Sequence, residues 1–263
     1  MGTTLKNAPV YFTLAQVRFN PILAIESYIP KIQERLRKHK YPDAKKNVLT
    51  TLNLPHAASA SESNSQVSPT QSPRFLFFDM ERTSGFILDV NAITFQSARY
   101  DSFEKFSKNF ILGLEVVHSE VELSFVERIG IRYLDAVFPR DGEKLQEYLA
   151  ESVLGLADKL EGELVYTFSE TLVRKDGTNV LARAIIQNGQ VGFPPDILPN
   201  VLNLDERFLK LRGLHATLDI DGSTDQREVF SMEMVQSRLE AIHGEIEKAF
   251  HATVTKNALQ TWG

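Results

Sequence analysis

Near position 220 a histidine and three carboxylates crowd one short stretch: His215, Asp219, Asp221 and Asp225, with Gly222 among them. On a strand, residues two apart project from one face, so His215, Asp219 and Asp221 can act together. Hard cations want several oxygen ligands, and a histidine beside a carboxylate can move protons near neutral pH. The spacing is not that of an EF-hand, whose glycine comes sixth in the loop; counted from Asp219, Gly222 comes fourth. Neighbours on one face stand roughly 6.5–7 Å apart along a strand, and four residues span about 13 Å. Ligand oxygens must meet within about 2.0–2.6 Å of one ion. His215 is out of reach on that geometry, and a metal is expected on Asp219 and Asp221 alone, weakly held. The competing reading is an acidic strand end running into a solvated turn.

A second set lies in residues 125–138, FVERIGIRYLDAVF, whose β-branched and aromatic content reads as a long, half-buried central strand. Ile129, Ile131, Tyr133 and Val137 point to one face and Arg128, Gly130, Arg132 and Leu134 to the other. Arg128, Arg132 and Tyr133, with Arg18 of an earlier strand, are the ligand-binding candidates, since guanidinium groups beside a glycine can floor an anion site. Against this stands a solvated or salt-bridged face, because exposed arginines are common and buried ones are paired. His243 and His251, eight apart beside the apolar stripe of the last helix, read as core or edge histidines. No residue is assigned a catalytic role.

Composition removes whole classes of chemistry. The chain has no cysteine, which excludes disulfides, thiolate catalysis and cysteine-ligated zinc. Neither the P-loop nor the dinucleotide-binding glycine pattern occurs, and no GxSxG elbow does, so no cofactor is expected. Net charge −5 and a pI near 5.7 argue against nucleic acid and an anionic membrane surface as partners. No apolar run reaches the roughly 18–20 residues of a membrane span, and residues 1–10 do not read as a signal peptide; a cytoplasmic protein is expected.

The elements that must carry these residues follow from periodicity. Residues 10–19 read as a strand bounded by Pro9 and Pro21, then a helix with Ile25, Tyr28, Ile29, Ile32 and Leu36 on one face. Residues 47–54 read as a strand, and 74–80 with 86–98 as a hairpin. Residues 55–73, rich in Ser, Ala and Pro, read as a mobile loop. Phe103, Phe106, Phe110 and Leu114 mark a helix that Asp101 or Ser102 caps. After the central strand, residues 145–156 repeat with helical period. Strands over 163–172 and 179–186 join at Asp176-Gly177, a loop rich in Pro spans 191–203, a further strand follows over 209–220, and a long helix starts near Met232. The reading is α+β, a large antiparallel sheet with helices mainly on one face. The element order repeats, suggesting two pseudo-repeated β-α-β-β-β-α halves, 1–120 and 121–263, packed as one unit.

Residues 7–10 leading to Val17-Arg18-Phe19, the stretch Arg128-Ile129-Gly130-Ile131-Arg132-Tyr133, and Leu218-Asp219-Ile220-Asp221 with the closing His243, Phe250, Thr255 and Trp262-Gly263 together carry a likeness. On them the chain resembles an uncharacterised, sporadically distributed bacterial protein family. It departs in the Ser-rich insertion after Pro55 and at Leu134-Asp135, where asparagine-containing text is expected. The resemblance implies bacterial origin and one full-length fold, and transfers no catalytic residue. Sporadic occurrence suits an accessory system such as phage defence or toxin neutralisation. With the absent motifs, it makes a non-enzymatic binding or interaction protein the leading expectation, its partner another protein or a second copy of the chain. Two alternatives stand beside it: a small-ligand binder with a sheet–helix pocket, and a metal-dependent or acid–base enzyme using the acidic strand end.

Overall fold

Alternating apolar positions build one ten-stranded antiparallel sheet in the computed structural model, which describes residues 7–52, 69–197 and 202–263. The strands are β1 (Val10–Phe19), β2 (Asp43–Leu52), β3 (Pro69–Phe78), β4 (Ser84–Asp89), β5 (Ala92–Ser97), β6 (Phe125–Val137), β7 (Tyr166–Lys175), β8 (Thr178–Gly189) and β9 (Gly213–Thr224), with a short β10 (Glu228–Val229) against β6. Their order across the sheet is β2-β3-β4-β5-β1-β6-β9-β8-β7. Outward from β1 the chain runs back through its own half, and outward from β6 it does the same. Each half then closes on a long helix, α2 (Phe103–Val121) in the first and α5 (Met232–Thr253) in the second.

These two helices and α1 (Ile25–Lys38) lie on one face of the sheet, where Ile32, Phe106, Phe110, Leu114, Val235, Leu239, Ile242 and Ile246 share a core with Val17, Phe95, Ile131 and Ile220. Each fully buried large aliphatic side chain contributes about 1.5–3 kcal/mol by transfer, an upper bound given a partly collapsed unfolded chain. Ser102 and Ser231 cap α2 and α5 by accepting from Lys105 and Met234. Close approach is set by two glycines. A Cβ on Gly113 would lie 2.1 Å from the Phe86 ring, and one on Gly222 would lie 2.6 Å from Ile242 of α5.

The opposite face is covered by irregular chain. Residues 191–197 and 202–211, the latter including the short α4 (Glu206–Leu209), lay Phe193, Leu202 and Phe208 over Tyr11, Phe12, Leu134 and Ala136. A third cluster joins Tyr148, Leu149 and Leu154 to Val254, Ala258 and Trp262 of the terminal α6 (Lys256–Trp262).

Several expectations change. The single strand over 86–98 is two, β4 and β5, joined at Val90-Asn91, a dipeptide without the glycine that announces most hairpin turns. The helix over 145–156 is broken into a 3-10 turn at Leu145–Glu147, α3 (Glu151–Leu154) and another 3-10 turn at Gly155–Asp158. Gly155 takes φ +60°, and Leu156, counted in the apolar stripe, is exposed. The strand over 209–220 starts later, at Gly213, after α4. Of the Ser-rich segment, residues 69–73 begin β3 and 55–68 lie outside the described residues.

Candidate ligand cavity

The two faces of β6 carry different chemistry. The face turned away from the helices holds Arg128 and Arg132, and here the charges are matched. Arg132 donates to both oxygens of Asp219 at 2.6 and 2.8 Å, and also to Asp196 of the covering segment. Arg183 reaches Asp219 at 3.3 Å and Glu170 at 2.7 Å. Arg128 lies 3.6 Å from Asp221 and 3.5 Å from Asp225. Asp219 is buried and Arg132 nearly so, and buried charges persist when paired in this way. Guanidinium groups thus neutralise the two carboxylates expected to hold a cation. Among the described residues, no three His, Cys, Asp or Glu side chains are grouped to hold a metal. His215 shares this face but stacks on Phe138 at 4.6 Å; its Nδ1 meets the Gly213 carbonyl and its buried Nε2 has no partner. Arg18 is exposed, opposite Arg128.

Tyr133, the remaining ligand candidate, faces the helices. A cavity of about 1470 Å³ opens there between the N-terminal end of α2 and the C-terminal half of α5, floored by Tyr133, Asp135 and Ile220. Helical periodicity explains the walls: Phe103 starts α2 facing inward, and His243, Gly244, Glu247 and Phe250 recur along one side of α5. The His243 ring stacks on Phe103 with centroids 4.0 Å apart. Its Nδ1 shares a 3.2 Å hydrogen bond with the Tyr133 hydroxyl, which lies 3.5 Å from that of Tyr100. Burial holds His243 below the usual imidazole range and raises Tyr133 well above the usual phenol range, so both are neutral near pH 7.

Asp135 differs from Asp219, the other buried carboxylate among the described residues. It is 2% exposed and lines the cavity, and where Asp219 is held by arginines no described side chain donates to Asp135. Burial, reinforced by Asp219 across the sheet, raises its pKa to about 8. On β1, Thr13, directly opposite Tyr133, keeps a buried hydroxyl without a partner among the described residues.

Of the sequence candidates, the structure gathers Arg128 with Asp221 and Arg132 with Asp219 into two neighbouring ion-pair groups on one face and leaves only Tyr133 at the cavity. Sequence reasoning missed Asp135. The signal was present: Asp135 follows Ile131 and Tyr133 at period two, a carboxylate on the core-facing side of the central strand. No protein-family model, curated protein or solved structure matches the chain.

Proposed function

We propose that the protein binds a small organic molecule in the cavity between α2, α5 and the sheet. The observation that carries this reading is the coincidence of a large, mostly apolar hollow with a few converging polar groups, Tyr100, Tyr133, Asp135 and His243, beside the main apolar core. Ligand sites in small domains have this make-up.

Gly244 offers the test. It lines the cavity, and a Cβ added there meets nothing within 4 Å, so Gly244→Phe starts from open space, puts a large ring at the cavity wall, and replaces the poorest non-proline helix former. A small-molecule library scored by thermal melting should yield compounds that stabilise the wild type. At a hundredfold excess over Kd the gain is about 2.7 kcal/mol, or several degrees for a chain of this size. The same compounds should leave Gly244→Phe unmoved. Equal shifts in both proteins would place binding elsewhere.

A second reading, self-association, is favoured by the free edge of the sheet. β7 ends the strand order and exposes Tyr166, Phe168, Leu172 and Val173. An antiparallel pairing of two β7 strands centred on Ser169 sets Tyr166 against Leu172, Val165 against Val173 and Glu163 against Lys175 of the other copy, with Phe168 against Glu170 beside the centre. Apolar and charge complementarity therefore point to a second copy as the occupant.

A further inference from the structure

The chemistry of the cavity specifies more than its volume does, and the inference drawn here rests on the cavity being a binding site. Charge around it is one-sided. The start of α2 contributes Asp101 and Glu104 against a single Lys108, and α5 contributes Glu240 and Glu247. Part of this is structural: acidic groups suit a helix N-terminus, Asp101 pairs with Lys105, and Gln236 donates to Glu240 at 3.1 Å. None of that applies to Asp135, which sits on a strand at the bottom of the hollow. Buried polar groups nearly always have partners, and leaving one unpaired costs on the order of 1–3 kcal/mol. An orphaned carboxylate aimed into an acidic, aromatic-walled cavity is accounted for when a ligand supplies the missing donor. From the floor and walls we infer that the ligand is an organic amine, its apolar body lying along Ile220, Ile246 and Phe250. Its ammonium head displaces the proton that Asp135 otherwise holds and donates to the resulting carboxylate.

An anion is disfavoured by the surrounding carboxylates. A neutral donor such as an alcohol satisfies the hydrogen bond but not the charge, and charge-assisted hydrogen bonds are roughly twice as strong as neutral ones. Tyr100, Phe103 and Tyr133 also line the cavity, and aromatic side chains are surroundings in which cations are favoured.

Three probes of equal chain length separate these cases: 1-aminooctane, 1-octanol and octanoate, titrated calorimetrically into the full chain at pH 7. The amine is expected to bind at least about tenfold more tightly than the alcohol, and octanoate most weakly. Asp135→Asn keeps the shape and removes the charge, so it should lower amine affinity to that of octanol while leaving octanol within about twofold. Glu247→Gln, at the half-buried rim, should weaken the amine alone by a smaller factor, and supplies the charge test should Asp135→Asn fail to fold. Octanol or octanoate binding as well as the amine, with all binding lost in Gly244→Phe, would overturn the amine assignment and leave the cavity reading intact. Binding of none of the three, or binding unaffected by Gly244→Phe, would overturn both.

Discussion

Asp135 makes the protein's stability depend on pH in a direction opposite to that of most carboxylates. Its pKa is raised from 3.8 to about 8 by burial, so across that interval the folded state holds a proton that the unfolded state has lost. Stability from this group is full below about pH 4 and falls as pH rises toward 8. Asp135→Asn removes the loss: urea midpoints of wild type and variant should diverge steadily from pH 4 to 8, the variant being the more stable at pH 8. Parallel curves would mean that Asp135 is ionised and paired. On the other face the prediction has the opposite sign. Arg132→Met deletes the bidentate partner of Asp219, which is 1% exposed, and should destabilise by about 3–5 kcal/mol; a loss under about 1 kcal/mol would show that Arg183 suffices. Residue-scale reading of the sequence found these arginines and carboxylates by their alternation along β6 and β9. It could not say that they meet one another, because the Arg132–Asp219 pair joins strands 87 residues apart. Nor could it assign Asp196, which reaches Arg132 from an irregular segment.

At the scale of elements, legibility followed local chemistry. Asp176-Gly177 takes φ +50° and +79°, the left-handed pair that such a dipeptide allows and that joins β7 to β8. The long helices announced themselves by apolar stripes, and α2 also by a capping residue, Ser102. Val90-Asn91 turns without any such signal, and residues 145–158 have helical spacing but a chain that breaks at Gly155. β7 carries a prediction of its own. It ends the strand order with Tyr166, Phe168, Leu172 and Val173 exposed among Glu170, Arg174 and Lys175. Light scattering should find a concentration-dependent dimer, and Leu172→Lys, a fully solvated change at a site 63% exposed, should shift it to monomer without lowering the melting temperature of the monomer. A wild type that stays monomeric at high concentration would remove self-association.

For the whole molecule, the α+β reading with a large antiparallel sheet stands, and no described helix is long and apolar enough to cross a membrane. The two sides of the β1–β6 pair follow one course, β5-β4-β3-β2 and β9-β8-β7, and Arg18 and Arg132 each lie two residues past the Gln16–Gly130 pair on one face. Duplication is our proposal for this likeness, and the cavity lies against the β1–β6 pair where the two courses meet. The cavity itself left no motif in the sequence, because it is a gap between α2 and α5 rather than a pattern along either. Native mass spectrometry of the chain taken gently from its host, beside Gly244→Phe prepared the same way, addresses that gap. The wild type should carry a small organic adduct of defined mass, released on heating and missing from the variant. Wild type without an adduct, or an adduct retained by Gly244→Phe, would contradict a ligand site under α2 and α5.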